Sequence, residues 1–393
     1  MFRKSVGIIA ILLFVIAVVS PTVSKAIPAF ARKYGFSCST CHVAAPKLKD
    51  YGDEFAGNAF QLPDEDEPVR AFRDVGDDHL LLQRDFPLAM RFDLFARYQS
   101  EEDVNYDFQT PWGVKILSGG NIAKDIGYYI YFYMSEHGEI AGIEDAYIHF
   151  NNIGGTELDL MFGQFQICDP LFKRELRLTY EDYQVYKTKV GDISSANLTY
   201  DRGIIATYSL PTGTDLTLEV VNGRGLDEAG DNGMFDGDNF KNVFGKVSQS
   251  FSIVSLGMFG YSGKEKHTNG QENAFVYFGP NINVGTERIE LNGQYVRRND
   301  DNPEFKTGGI NDFTTEGYIG EIVINPFPDK SRLFGVLLYN KVTSDNAVFV
   351  QDYETMTGNI SYLYRTNVRM LAELTYDIEM EESRLTIGTM VGF

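Results

Sequence analysis

The sequence has little of what marks several common protein classes. Beyond its first two dozen residues it contains no apolar run long enough for a transmembrane helix. Positive charge is scarce: 35 Lys and Arg stand against 55 Asp and Glu, for a formal net charge of −20. We therefore expect no nucleic acid partner, since binding to phosphates needs basic side chains. No pattern for hydrolytic chemistry, phosphate binding or nucleotide binding is present.

The first residues predict an export signal. The basic pair Arg3-Lys4 precedes an apolar run over residues 7–19, and Ser24-Lys25-Ala26 supplies the small residues of a cleavage site. Residues 1–26 are thus predicted to be a signal peptide, cleaved after Ala26. An uncleaved anchor is the alternative, although the run is short for a membrane span. Removing the three positive charges of this segment leaves about −23 on the mature chain.

Glycine and aromatic residues are abundant, with 38 Gly, 23 Tyr and 29 Phe but the single Trp112. This composition is typical of β structure. From about Pro87 onward, apolar and polar residues alternate with period two, most clearly over 88–97, 288–295 and 368–377. Each such strand has one apolar and one charged face, as in a membrane barrel with a polar lumen or in a large soluble β-sandwich.

Connection lengths favour the barrel. Short turns near 151–155, 211–214 and 325–330 alternate with longer polar loops, which lie near 100–110, 167–194, 224–240, 263–272 and 299–312. Outer-membrane barrels have this asymmetry between their two ends. The last strand also alternates and stops on Phe393, which resembles the recognition signal of such barrels. We predict an all-β fold, a barrel of about 16 strands of ~10 residues over residues 87–393 in the outer membrane of a Gram-negative bacterium.

Residues Cys38-Ser39-Thr40-Cys41-His42 form a CxxCH motif. Two thiols three residues apart share one face of a helical turn and can add to the two vinyl groups of a haem, while the histidine ligates the iron. A zinc site would need a second ligand pair, and a thioredoxin-like dithiol a βαβ context; neither is present near Cys38. We therefore predict one covalent haem c on Cys38 and Cys41, with His42 as the proximal iron ligand.

The stretch between signal and barrel, residues 27–86, is small for a free-standing cytochrome. It is predicted to be a mainly helical monohaem cytochrome c segment that plugs or caps the barrel. Its acidic stretch Pro63–Pro68 is read as a solvated linker, with a metal site as the alternative. His79 is the only histidine between His42 and the barrel, and it is a candidate sixth ligand or else an ordinary solvated residue.

Methionine and histidine side chains within the barrel are weaker ligand candidates. Met90 is assigned to the lipid face, and His149 is assigned to the lumen with Asp145 and Tyr147. His149 and four others could bind the iron only if the plug extended to them; the four are Met134, Met161, Met258 and His137.

The haem motif and the residues before it resemble a known family. Ala26-Ile27-Pro28-Ala29-Phe30-Ala31-Arg32, then Gly35 and the CxxCH residues, is similar to the pattern of fused monohaem cytochrome-porins from the outer membrane of iron-oxidising bacteria. Lys33 and Tyr34 stand where that pattern has Gln and Thr. The match covers about seventeen residues, while the order of cytochrome and barrel covers the whole chain.

The resemblance implies electron transfer across the outer membrane. Extracellular Fe(II), or another redox donor, would reduce the haem, and a periplasmic c-type cytochrome or other carrier would take the electron; an Fe(II) oxidase activity is possible on this basis. Outward transfer to an extracellular acceptor is one alternative. A diffusion porin with a structural or sensory haem domain is the other.

Further features carry two interpretations each. The row Tyr129, Tyr131 and Tyr133 could line an electron path or simply pack. An acidic loop could gather ferrous ions, bind calcium or stay solvated; it carries Asp227, Glu228, Asp231, Asp236 and Asp238. The long segment Ile167–Ser194 could fold inward and narrow the pore, and its Cys168 has no following histidine, so we expect a free thiol there.

Overall fold

The computed structural model describes residues 29–62, 72–73, 75–77, 79–80, 82–84, 86–100, 104–191, 193–308, 312–327, 332–345 and 350–393. The predicted signal peptide and the acidic stretch Pro63–Pro68 lie outside these residues, as do the first three residues of the family resemblance. No helix in the described part of the chain is long and apolar enough to cross a bilayer.

Sixteen antiparallel strands form a closed barrel, as predicted. Each strand pairs with its neighbours in sequence, and the last strand pairs with the first. The strands are β5 (Leu88–Gln99), β6 (Tyr106–Ala123), β7 (Ile126–Glu136), β8 (Gly142–Phe150), β9 (Leu158–Gln166), β10 (Tyr200–Leu210), β11 (Thr214–Val221), β12 (Asn242–Phe251), β13 (Val254–Lys266), β14 (Glu272–Gly285), β15 (Ile289–Asp300), β16 (Phe313–Ile324), β17 (Leu333–Ser344), β18 (Tyr353–Arg365), β19 (Val368–Asp377) and β20 (Glu382–Gly392).

The two faces of the strands are divided as the alternation predicts. On β19, Arg369, Glu373 and Asp377 are buried inside the barrel, while Leu374 and Tyr376 are exposed on its outer surface. The same division holds on β5 and β15. A polar lumen and an apolar outer band are thus built into the sequence with period two.

The two ends of the barrel differ in loop length. One end, which we call the short-turn mouth, has connections such as 124–125, 211–213, 252–253 and 366–367. The opposite end carries the long loops, among them 222–241 and the loop to which the described residues 301–308 belong. This confirms the predicted asymmetry, since outer-membrane barrels have short periplasmic turns and long extracellular loops.

The described part of the N-terminal region contains three short helices and two short strand pairs, as the fold-class prediction expects. Its helices are α1 (Ala29–Tyr34), α2 (Cys38–Cys41) and α3 (Asp50–Gly57), and its strands are the short pairs β1 (His42–Ala44) with β2 (Lys47–Leu48) and β3 (Phe72–Arg73) with β4 (Leu82–Gln83). We call residues 29–62 the cap, because they lie at the short-turn mouth. There Lys33 Nζ donates to Asn121 Oδ1 (2.6 Å), and the Asp125 amide donates to Gln61 Oε1 (3.1 Å).

The long connection after β9 folds into the barrel. This inward segment, residues 167–191 and 193–199, contains the short helix α4 (Gln184–Lys187). It is bound to widely separated strands: Arg298 Nη1 of β15 donates to Ala196 O, and Arg369 Nη1 of β19 donates to Leu178 O. Its buried residues also form one apolar cluster with barrel side chains such as Phe244 and Ile319. The prediction that Ile167–Ser194 folds inward is confirmed.

The C-terminal aromatic residue lies at the closure of the barrel. Phe393 stacks on Phe92 of β5, with ring centroids 5.7 Å apart. Its backbone also exchanges two hydrogen bonds with Met90, at 2.7 and 2.9 Å. The last residue therefore extends the pairing of the last strand with the first.

Glu373 is expected to hold the inward segment in place. Its carboxylate accepts hydrogen bonds from the backbone amides of Tyr180 and Glu181, both at 2.7 Å. Replacing Glu373 by Ala should destabilise the docked segment by about 2 kcal/mol, because hydrogen bonds to a charged acceptor are lost. Trypsin cleavage within the segment, measured on detergent-purified protein, should then be ~30-fold faster when cleavage follows local opening.

Glu354→Ala is the matched control, since this carboxylate on β18 pairs with Lys341 rather than with the inward segment. Equal cleavage rates in the two variants would contradict the anchoring role of Glu373.

Candidate functional site

The haem motif folds as a single helical turn. Ser37 caps α2, its hydroxyl accepting from the Ser39 amide (3.4 Å), and His42 ends the turn in an extended conformation while its amide donates to Cys38 O. This places both cysteines on one turn. Both are half-buried and neither forms a disulfide.

The His42 ring is oriented by the cap. Nδ1 lies 3.0 Å from the Pro46 carbonyl oxygen, which can only accept, so the ring proton is on Nδ1 and Nε2 carries the lone pair. Metal-binding histidines are usually held in this way. Burial lowers the pKa of the His42 imidazole below its ordinary value. The neutral, ligand-competent form is therefore favoured.

Both thiols of the motif are protonated at neutral pH. Burial raises the pKa of the Cys38 thiol and of the Cys41 thiol, and at Cys41 the neighbouring Cys38 adds to the effect. The third cysteine, Cys168, is fully buried in the inward segment, where its Sγ lies 3.6 Å from Gln166 Oε1. It is a free thiol, as predicted.

Helix α3 packs directly against the motif. The Lys49 amide donates to Cys41 O (2.8 Å), and a Cβ at Gly52 would lie 2.3 Å from the same oxygen. Only glycine permits this approach. On the other side of the cap, Phe55 and Phe60 belong to an aromatic cluster that reaches Tyr129 of β7, with the Phe60 and Tyr129 ring centroids 5.4 Å apart.

A cavity of about 320 Å³ opens between the cap, the barrel wall and the inward segment. Cys38, Cys41 and His42 line it on the cap side. Its other lining is largely aromatic and aliphatic, with seven charged side chains that include Asp145 and Asp169. The lining includes Phe30, Phe36, Leu48, Phe55 and Phe60 of the cap, Arg91, Lys115, Tyr129, Tyr131, Tyr147, Arg369 and Met390 of the barrel, and Lys173, Glu175 and Leu176 of the inward segment.

Several ligand candidates lie elsewhere. His79 is exposed in a turn, where its amide donates to Asp77 Oδ1, and it is not part of the cavity lining. Met134 and Met258 are exposed on the outer surface. His149 is buried on the lumen side with Asp145, as predicted. Met90 borders the cavity at the end of β5, on the outward face that alternates with Arg91.

Met390 and Arg369 are cavity residues that sequence reasoning did not select. Both lie on lumen-facing positions of the last two strands, so the alternation pointed them inward. Nothing in the pattern showed that these positions are near the cap. That follows only from the closed barrel, in which β20 pairs with β5 next to the site.

Two further predicted features have defined positions. Tyr129, Tyr131 and Tyr133 form a row on the lumen side, with consecutive centroids 6.5 and 5.3 Å apart. In the acidic loop at the long-loop end, Asp236 is paired with Lys241 and Asp227 with Arg224. Within the described residues, no three His, Cys, Asp or Glu side chains are grouped so as to hold a metal ion.

Comparison with known proteins identifies the barrel. Its solved neighbours include an anion-selective porin from Comamonas acidovorans, with a TM-score of 0.58, 9% identity, and coverage of 79% of this chain and 99% of that chain. A loop-deletion mutant of OmpT from Vibrio cholerae has a TM-score of 0.57 at 11% identity, with coverage of 79% and 99%. The chain has the fold of outer-membrane porins.

The DcaP channel of Acinetobacter baumannii extends the comparison, with a TM-score of 0.55, 14% identity and coverage of 79% and 97%. No family model matches the sequence, and no curated protein matches it. At these identities the likeness concerns the fold alone. Haem attachment at Cys38 and Cys41 stays a prediction from the motif and its surroundings.

An ion pair ties the cap to the barrel wall. Lys47 Nζ lies 2.9 Å from Glu290 Oε1 on β15. Burial lowers the pKa of Lys47, but Glu290 and Glu321 raise it more, so the net pKa lies above its ordinary 10.5. Because folding raises this pKa, the stabilisation is complete at pH values below 10.5 at which Glu290 is ionised, and it is lost as pH rises through the folded value.

Replacing Lys47 by Met should weaken the docking of the cap by about 1 kcal/mol, since both partners are partly exposed. Limited thermolysin cleavage within the cap should then be ~5-fold faster at pH 8. Lys49→Met is the control, because the Lys49 side chain is exposed and makes no helix-capping hydrogen bond. Unchanged cleavage in Lys47→Met would show that the pair contributes nothing to docking.

Proposed function

We propose that this protein is an outer-membrane electron-transfer protein that carries one covalent haem c at the short-turn mouth of its barrel. The direction we propose is from extracellular Fe(II) to a periplasmic c-type cytochrome or another electron carrier. The observation that carries the proposal is that both thiols and the imidazole of one CxxCH turn line a largely apolar cavity inside the barrel mouth.

The residues present fit a haem. Cys38 and Cys41 would form the two thioether bonds, and the oriented His42 would bind the iron through Nε2. The aromatic side chains of the cap and of β7 would contact the porphyrin faces and edge. When bound, the haem supplies a one-electron redox centre, and burial and axial ligation set its potential.

Three features of the chain itself support the proposed haem site. The apolar part of the cavity lining lowers the local dielectric constant around any charge there. Gly52 lets α3 pack against the Cys41 carbonyl, so α3 supports the turn that would bind the haem. The Pro46 carbonyl fixes the tautomer of His42.

The barrel supports an orientation for transfer. If the short turns face the periplasm, as in other outer-membrane barrels, the cap lies where a periplasmic carrier can reach it. The long loops then face the extracellular donor, and lipid surrounds the outward apolar band. A protein in this location must be exported, and the predicted signal peptide of residues 1–26 is consistent with that requirement.

A diffusion porin is the second candidate function, favoured by the porin fold of the solved neighbours. The lumen argues against a wide aqueous channel. The cap lies at one mouth of the barrel. Within the lumen, the inward segment contacts the strands that close the barrel: its Tyr180 ring packs against Phe95 of β5, and its Glu181 Oε2 lies 3.4 Å from Arg384 Nη2 of β20. We therefore favour electron transfer over solute diffusion.

We expect Fe(II), added without oxygen to the oxidised, purified protein, to produce the sharp absorption bands of a reduced c-type haem. Electron transfer from iron is the reason, and stopped-flow visible spectroscopy is the measurement. The variant Cys38→Ala with Cys41→Ala should carry no covalent haem and show no bands.

Reduction by dithionite but not by Fe(II) would contradict the iron donor and point to another donor or to outward transfer. A haem-free native protein would remove the proposal altogether. In that case single-channel conductance in a planar bilayer tests the alternative, because a diffusion porin should give large open-state currents.

His79 and Met390 are the two candidates for a second ligand of the haem iron, and substitution distinguishes them. Because Met390 lines the cavity and His79 is exposed elsewhere, we expect Met390→Ala to convert the ferric haem toward a high-spin visible spectrum. His79→Ala should leave the spectrum unchanged, as should the control Met134→Ala on the outer surface. A high-spin spectrum in His79→Ala alone would establish His79 as the ligand.

A further inference from the structure

Arg369 on β19 is a buried cation that forms no salt bridge within the described part of the chain, although the charges of Asp93 and Glu373 act on it from a longer distance. Only 2% of its surface is exposed. Nη1 donates to the Leu178 carbonyl at 2.9 Å, Nη2 contacts Met390 Sδ, and Nε has no hydrogen-bond partner. A thioether sulfur is a weak acceptor. Among the described residues, no carboxylate oxygen lies within 4.0 Å of this guanidinium.

Arg298 on β15 shows how the same barrel treats an equally buried arginine. It is also 2% exposed, but Nε and Nη2 donate to the two carboxylate oxygens of Asp300, each at 2.6 Å. Nη1 donates to Ala196 O and to the Tyr277 hydroxyl, both at 2.7 Å. A buried guanidinium thus receives a bidentate carboxylate here, which is its preferred partner.

The cavity makes Arg369 distinctive. Three other cations line it, and each has a carboxylate within 4.0 Å: Arg91 with Asp93, Lys115 with Asp93 and Glu175, and Lys173 with Asp53. Arg369 lines the same cavity with its charge unmatched. An isolated buried charge is costly, so the chain bears a penalty that an anion in the cavity would remove.

We propose that Arg369 is a carboxylate-binding residue of this cavity and that its partner is a propionate of the haem. This inference rests on the proposed function, because it takes the haem from there. The haem carries two carboxylates, and one of them would give the Arg369 guanidinium the bidentate partner that Arg298 finds in Asp300. Release of Arg369 from the Met390 sulfur would leave that thioether with the longer contact from Arg91 Nη2, at 3.7 Å.

The test compares Arg369→Met in two backgrounds, the haem-bearing protein and the haem-free Cys38→Ala/Cys41→Ala protein. With haem, Arg369→Met should lower the thermal unfolding midpoint, because a bound propionate loses its partner. Without haem, the same change should leave the midpoint unchanged or raise it, because it removes an unpaired buried charge. Arg369→Lys, which keeps the charge, should retain part of the stability of the haem-bearing protein.

A reference variant and an added anion sharpen the outcome. Arg298→Met should lower the midpoint in both backgrounds, since Asp300 is its partner with or without haem. Equal destabilisation by Arg369→Met in both backgrounds would overturn the assignment of a propionate. So would a rise in the midpoint of the haem-bearing protein on adding acetate or inorganic phosphate, lost in Arg369→Met, because Arg369 would then still lack its partner when the haem is bound.

The failure of the proposed function is recognised separately. A visible spectrum of the unaltered protein without c-type haem bands overturns that function and this inference together. Covalent haem combined with the same response to Arg369→Met in both backgrounds overturns the inference alone.

Discussion

The closed hydrogen-bond network of the barrel is the constraint on which the rest of the structure depends. A strand within a bilayer has no water to satisfy its amides and carbonyls, so pairing must continue around the full circle. Here β20 pairs with β5, and the backbone of Phe393 adds two hydrogen bonds with Met90. Closure in turn brings lumen-facing side chains from both ends of the chain to one site.

The lumen shows how a membrane barrel can be filled without losing its polar lining. The inward segment presents backbone groups and charges that buried wall residues satisfy: Glu373 accepts two of its amides, and Glu265 accepts from the Ser195 and Ala196 amides. Most of these buried polar groups are paired, although the Glu219 carboxylate is not. The Arg369 guanidinium is the anion site that we propose, and the cavity beside the CxxCH turn is the proposed site for a flat, largely apolar group.

Porin likeness and haem chemistry are compatible in one molecule. The neighbours establish how the chain is folded, while the haem chemistry that we propose would lie in the cap and in the cavity that the cap shares with the wall. Tyr129 is an example of this sharing, since it belongs to the barrel and stacks on Phe60 of the cap. The cap is small, and contact with the barrel supplies the packing that its own core lacks.

The sequence by itself determined the closed 16-stranded barrel, the inward and outward faces of its strands, and the CxxCH turn. These follow from local rules: a period of two puts Glu373 inside and Leu374 outside, and the spacing of Cys38 and Cys41 sets one helical turn. Only the tertiary structure decided which side chains meet around the cavity. Closure brings Met390 and Arg369, from the other end of the chain, to the cavity that Cys38 lines, and no local pattern records such a long-range arrangement. His79 belongs to the N-terminal region with Cys41 but does not line the cavity.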